Sequence, residues 1–243
     1  VLTRRTKAVI VVHLAGWPCE MDEILALAEK RGLFVIEDCA QCVGARFKGR
    51  ATGSIGAFGA FSFCQDKIIT TGGEGGMLVT DSLELWEKAW SYKDHGKSYA
   101  AVFERTHQTG FRWLHESFGT NCRITEMQSA IGRLQLRKLP QWLAVRRGNA
   151  SLLSQGLSAV RGLRLALPPA HSEHAYYKYY AFIRPEMLRS GWNMQRLLDA
   201  LGAEGIPCGV GACSEIYLEK AFVDARLGPK QPLPVASRLA ASS

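Results

Sequence analysis

Lys7 to His13 (KAVIVVH) is a run of apolar, β-branched residues without polar alternation, which predicts a buried strand of a parallel sheet. Met21 to Lys30 then carries apolar residues at helical spacing, with Gly32 where such a helix would stop. Leu33 to Glu37 (LFVIE) reads as a second buried strand ending at Asp38. The order strand, helix, strand predicts a βαβ unit with helices on the faces of a parallel sheet. Ala57 to Phe63 (AFGAFSF) and Met77 to Thr80 (MLVT) read as further strands, and Leu83 to Trp90 as a helix. Ser91 to Gly119 is polar, aromatic and aperiodic, the pattern of a long functional loop. Ile124 to Leu139 has the spacing of an amphipathic helix, and Pro140 is expected to open another that runs to about Ala159.

The pattern changes after Leu167 to Ala170 (LPPA). Ala175 to Ile183 (AYYKYYAFI) predicts an aromatic strand. Alternation along it would send two of Tyr176, Tyr177, Tyr179 and Tyr180 into a small-domain core. Met194 to Leu201 predicts a short helix and Ile206 to Val210 a strand, before an irregular tail without a closing element. The reading is an α/β protein: a large domain over residues 1–145 and a smaller α/β domain over 146–243.

Composition narrows the function without naming it. The chain has 243 residues, 47% hydrophobic and 21% charged, an ordinary globular balance. No apolar run reaches the length that spans a bilayer, and no signal peptide is visible, so a cytoplasmic protein without membrane attachment is expected. A net charge of +8 suits an anionic ligand such as a nucleotide or phosphate. The densest basic segment, Arg133 to Gly148, has the spacing of a solvated helix face, and no nucleic-acid partner is expected. Seven cysteines, an odd number in apolar surroundings, fit a reducing compartment. Cys39 and Cys42 form a lone CxxC with no second ligand pair in the sequence, so no metal is expected and two half-buried thiols are.

The chemistry concentrates where strands end. Asp38 follows the second strand, and Lys67 follows the third in FSFCQDKIITTGGEGGM. The turn Gly72–Gly73–Glu74–Gly75–Gly76 comes next. In open α/β sheets ligands bind at the carboxyl ends of the strands. A partly desolvated lysine there loses basicity and becomes a nucleophile toward carbonyls. An acid on a neighbouring strand end can balance a cationic ring nitrogen. A pyridoxal cofactor uses that pair, and Ser62 stands where a hydroxyl could meet a phosphate. A surface salt bridge would explain the same spacing. No GxxxxGK[ST] P-loop is present, and GGEGG lacks the placement of a dinucleotide fingerprint.

Four segments occur in one order: VVHLAGWPCEMDEI, FVIEDCAQCVGARFKGRATGSIGAFGAFSF, the lysine segment through EGGMLVT, and NCRITEMQSAIGRLQLRKL. Together they resemble the DegT/StrS family of pyridoxal-phosphate sugar aminotransferases, most strongly from Val11 to Leu139. The resemblance implies an aminotransferase-like, fold type I large domain with a mainly parallel sheet, a smaller C-terminal domain, and a homodimer with shared active sites. It implies pyridoxal 5'-phosphate as cofactor, and glutamate and a nucleotide-linked ketosugar as substrates, in polysaccharide or glycan precursor synthesis. Position by position, it makes Lys67 the residue that bonds the cofactor aldehyde and moves protons. It makes Asp38 the partner of the ring nitrogen, Gln41 a neighbour of the ring and its phenolic oxygen, and Ser62 a phosphate ligand. Asn121 would reach the phosphate of the neighbouring subunit, and Arg123 would help to hold the donor's carboxylate. Cys64 and Cys122 depart from the family pattern, which favours His or Tyr at the first and an aromatic at the second. Relatives also extend beyond the region that matches Val1 to Ser243, so a piece of a longer enzyme is expected. A truncated, non-catalytic relative is the competing reading.

Overall fold

A computed structural model describes residues 2–211 and 215–242. β1 (Ala8–Val12), α1 (Met21–Arg31) and β2 (Phe34–Asp38) form the expected βαβ unit, with β1 and β2 parallel and Val12 opposite Asp38. The ends of α1 follow from its sequence. Asp22 and Glu23 occupy its first turn and Lys30 and Arg31 its last, each sign matching the helix dipole. Gly32 closes it in the left-handed conformation (φ 62°).

β3 (Arg46–Phe47) and β4 (Arg50–Ala51) make a tight hairpin, and both residues of its turn, Lys48 and Gly49, have positive φ. β5 (Phe58–Ser62) runs parallel to β2, with Ala60 opposite Asp38, and β6 (Gly76–Val79) is antiparallel to β5. The main sheet is thus ordered β1-β2-β5-β6. One core lies where Met21 and Ala28 of α1 meet Val11, Val35, Phe47 and Ile55. The expectation of a first strand buried throughout is corrected here. α1 covers one face, while on the other Ile10 and Phe34 are 66% and 58% exposed.

The loop before β5 approaches the sheet at backbone distance. A Cβ on Gly59 would stand 2.4 Å from the Cα of Gly53, and one on Gly56 would stand 2.6 Å from the Val35 carbonyl oxygen. Neither neighbour is a side chain that can swing away. Gly59→Ala therefore destabilises the fold by about 1–3 kcal/mol or more, read as a lower denaturant midpoint in equilibrium unfolding.

α2 (Leu83–Lys93) starts at Ser82, whose Oγ accepts the Leu85 N–H, and α3 (Tyr99–Phe103) starts at Ser98 in the same manner. The expected long loop from Ser91 thus contains the end of one helix and all of another. Tyr99 builds these elements together, packing edge-on against Trp86 and Trp90. α4 (Glu126–Leu157) runs straight through Pro140. The expected helix break is corrected: a proline removes one N–H from the ladder, and Leu139 and Leu143 on either side of it are anchored in a second core with Val43, Phe63, Ile68, Ile69 and Ala175.

By contact density the chain divides into one unit of Val1–Gly148 with Pro168–Lys178 and another of Asn149–Leu167 with Tyr179–Ser243. In the second unit β7 (Leu163–Leu165) pairs antiparallel with a later strand, β9 (Ala181–Ile183). β8 (Ser172–Glu173) belongs to the first unit, pairing with β3. The expected strand from Ala175 is therefore cut to Ala181–Ile183. Ala175 N–H donates to the Gly16 carbonyl and Lys178 N–H to the Ala15 carbonyl in the loop after β1, so alternation fails there. α5 (Met194–Ala203) is capped by Asn193, and α6 (Lys220–Asp224) and α7 (Pro234–Ala240) follow. Ile206 to Val210 form no strand, and the tail expected to be irregular holds α7, which Pro234 starts.

Candidate active site

The carboxyl ends of β1, β2 and β5 carry the site. Asp38 is the last residue of β2, and Cys39 N–H donates to the Ala60 carbonyl of β5 at 2.8 Å, which locks the two strand ends together. Half-buried Asp38 accepts the Ala40 N–H on Oδ1 at 3.0 Å, and its Oδ2 accepts no hydrogen bond among the described residues. Among the described residues Ser62, at the end of β5, accepts only the long 3.4 Å contact from Cys64 N–H, leaving its hydroxyl proton to donate elsewhere. Gln41 Oε1 accepts the Ala15 N–H at 2.7 Å, so the loop after β1 fixes that side chain.

Lys67 follows β5, with its side chain 17% exposed. Its Nζ lies 3.2 Å from Asp66 Oδ1 and 5.2 Å from the ring centroid of Tyr177. Tyr177 in turn donates its hydroxyl to Asp66 Oδ2 at 2.6 Å. The expectation of an amine that has lost basicity is corrected. Burial works to lower the Lys67 pKa, but the Asp66 carboxylate and Tyr177 more than offset it, and the net direction is upward. Asp66 is held at about 2 by the Tyr177 and Lys67 hydrogen bonds. Nothing local in the sequence sets Asp66 apart, and Tyr177, expected only as one of the alternating strand aromatics, lies 111 residues from it.

Asn121 has partners of its own. It forms a bridge with Asp94 and accepts the Arg123 Nε–H at 2.9 Å. Arg123 also pairs with Asp94 at 3.3 Å. Asn121 and Arg123 border a cleft of about 950 Å³ whose walls also include Glu74, Gly76 and Trp90, and neither Asp38 nor Lys67.

Beneath the strand ends sits a buried pair invisible in the sequence. His13 and Glu37 are both fully buried, with Nε2 2.9 Å from Oε2. His13 Nδ1 accepts the Cys19 N–H, which leaves Nε2 as the nitrogen that carries the proton toward Glu37. Glu37 also accepts the N–H groups of Gly53, Ile55 and Gly56 at 2.8, 2.7 and 2.6 Å. Burial pushes Glu37 up, and these bonds more than offset it, so its pKa lies below the usual glutamate range. Cys39 and Cys42 are fully rather than half buried. Their sulfurs and a ring nitrogen of His13 lie within 4.8 Å of one another. Both nitrogens of that ring are engaged, Cys42 Sγ donates to Thr52, and the bond to Cys42 together with burial pushes the Cys39 thiol up; all three oppose metal ligation.

Comparison with known proteins reaches the same region of protein space. The crystal structure of an aminotransferase from Psychrobacter cryohalolentis superposes with a TM-score of 0.95 at 52% identity, covering 100% of this chain and 63% of that one. A dTDP-3-amino-3,4,6-trideoxy-alpha-D-glucose transaminase of Streptomyces venezuelae is 33% identical over 98% of this chain and 58% of its own length. An E. coli GDP-4-keto-6-deoxy-D-mannose-3-dehydratase with bound hydrated PLP gives a TM-score of 0.81 at 26% identity, covering 99% of this chain and 62% of that one. The chain spans about half the length of the curated relatives it matches. Its fold is that of the fold type I aminotransferases. The model of the DegT/DnrJ/EryC1/StrS aminotransferase family matches residues 1–243, and the chain belongs to that family.

Proposed function

We propose that this chain carries the cofactor-holding part of a pyridoxal-phosphate aminotransferase that moves an amino group, from glutamate, onto the keto group of a nucleotide-linked sugar. The observation that carries the reading is the placement of Asp38 and Ser62 at the carboxyl ends of the two paired strands β2 and β5, with Lys67 in the segment that follows β5. The residues fit the cofactor. A carboxylate oxygen without a hydrogen bond, a hydroxyl free to donate and a nearly buried amine are the three groups that a pyridinium nitrogen, a phosphate and an aldehyde require. When bound, pyridoxal phosphate supplies an aldehyde for amines and a ring that accepts electrons from the carbon losing its proton.

The chain's own residues do the rest. Asp38 would face the ring nitrogen, keep it protonated and so favour electron flow into the ring. Ser62 would donate to the phosphate, and Gln41, pinned by Ala15, would flank the ring on its phenolic side. Lys67 Nζ would bond the aldehyde carbon and, once displaced by the donor amine, carry a proton between the substrate carbon and the cofactor carbon that was the aldehyde. Asn121 would serve the phosphate of the neighbouring subunit in a homodimer. Arg123, already tied to Asp94 and Asn121, orients that asparagine. Among the described residues no helix is long and apolar enough to cross a membrane, and we take the enzyme to be cytoplasmic. Lys67 also argues against dehydration of the sugar, which in this family goes with a histidine at that position.

The test assays the full-length protein with cofactor, glutamate and a panel of nucleotide ketosugars, following 2-oxoglutarate and the aminosugar by mass spectrometry. The reading expects stoichiometric formation of both with at least one member of the panel. Tight cofactor binding without amino transfer to any of them would instead favour a non-catalytic relative.

A further inference from the structure

We propose that Asp66 and Tyr177 are positioning residues for Lys67: together they form a clamp that receives its ammonium whenever the amine is not bonded to the cofactor. The inference rests on the reading of Lys67 given above and goes beyond it in assigning two further side chains.

Lys67 Nζ reaches both carboxylate oxygens of Asp66, Oδ1 at 3.2 Å and Oδ2 at 3.4 Å, and Oδ2 also accepts the Tyr177 hydroxyl at 2.6 Å. A carboxylate hydrogen-bonded on one oxygen cannot rotate freely, so the Tyr177 bond holds the Asp66 carboxylate with both oxygens beside the amine. The Tyr177 ring adds a second surface for the cation, 5.2 Å from Nζ to centroid. Tyr177 is itself built in. Its backbone and that of Tyr176 lie against Gly16, where a Cβ would stand 3.1 Å and 3.0 Å from their nitrogens. Lys178 N–H donates to the Ala15 carbonyl, and Arg146 donates to the Tyr176 carbonyl. The same loop after β1 thus holds Gln41 through the Ala15 N–H and Tyr177 through the Ala15 and Gly16 backbone.

Other charges nearby are already occupied or set back. Glu74 accepts from Cys64, and Lys178 Nζ lies 5.8 Å from the Tyr177 ring centroid. Asp66 and Tyr177 are the groups in contact with Nζ among the described residues. Their effect on chemistry is specific. An amine released from the cofactor must take a proton from the substrate carbon, and a carboxylate waiting at its side stabilises the ammonium that results. Asp66 is partly exposed, its side chain at 55%, so solvent screens part of the effect. The upward direction of the Lys67 pKa agrees with the clamp.

The test reads the lysine directly, apart from turnover. Cofactor-free wild type, Asp66→Asn, Tyr177→Phe and Asp66→Glu are treated with limiting acetic anhydride across a pH series. Acetylation at Lys67 is followed by peptide mass spectrometry, with circular dichroism confirming the fold. Removing the anion disfavours the ammonium. The labelling midpoint should therefore fall in Asp66→Asn and, by less, in Tyr177→Phe, with severalfold faster labelling below the wild-type midpoint. Asp66→Glu should return it toward wild type. In parallel, pyridoxal phosphate and borohydride are added to wild type and the reduced adduct is mapped. An adduct on Lys67 with an unmoved midpoint in both variants overturns the clamp alone. An adduct on a different lysine overturns the assignment of Lys67 itself.

Discussion

Lys67→Ala lowers amino transfer by about 10²–10⁴-fold or more, while the melting temperature of the cofactor-free protein stays near that of wild type. The first half follows from the loss of both jobs assigned to Nζ, the bond to the aldehyde and the carriage of a proton. The second follows from the contacts: Lys67 holds only a partly exposed ion pair and a ring face, features that contribute little to stability. Lys67→Arg separates charge from chemistry. It keeps a cation beside Asp66 but cannot give up its proton at working pH, so it should be as inactive as the alanine variant. A small primary amine added to Lys67→Ala should recover part of the rate, because the cavity left by the side chain admits a diffusible base. Steady-state rates with and without added methylamine check all three points. Near-wild-type turnover in Lys67→Ala would refute the role of the lysine.

The strand-end residues could be read before any coordinates because a single rule links them. Apolar β-branched runs in the order strand, helix, strand give a parallel sheet, and the carboxyl ends of such strands converge on one edge. Asp38 and Ser62 end β2 and β5 as that rule requires. Contacts that join distant segments were silent. Nothing near Asp66 in the sequence points to Tyr177, and the alternating aromatics around Tyr177 suggested a strand that backbone bonds to Ala15 and Gly16 prevent. Local signals also lost to packing. Pro140 is a helix breaker by itself, but Leu139 and Leu143 are buried in one core, and the helix they share continues through it. Ile10 and Phe34 belong to runs that looked buried on both faces, since hydrophobicity reports what a strand could bury rather than what covers it here.

The largest loss of stability is expected at Glu37. Glu37→Ala removes the acceptor for His13 Nε2–H and for three backbone N–H groups, all in the interior. Breaking one side of such a buried, charge-bearing network costs about 3–5 kcal/mol. Glu37→Gln is a poor rescue, because its amide turns donors toward donors. The loss also reaches the site. The three amides belong to the Gly53–Gly56 turn that leads into β5, and Glu37 is the residue before Asp38, so the carboxylate ties together the ends of β2 and the start of β5. The pH dependence has a definite sign. The folded-state pKa of Glu37 is depressed below its ordinary value of 4.5, so its stabilisation is complete above that value. It is lost as pH falls through the lower, folded-state pKa. Its partner acts in the opposite sense: the folded-state pKa of His13 is raised to about 9, against burial, by its bonds to Cys19 and Glu37, so that contribution is complete below 6.5 and is lost as pH rises through about 9. Chemical denaturation of wild type and Glu37→Ala at a series of pH values should therefore give a stability difference that is largest between about 4.5 and 6.5 and shrinks below about 4.5. A difference that did not shrink below about 4.5 would mean that Glu37 is not an ionised acceptor in the fold, and the network described for it would have the wrong charge.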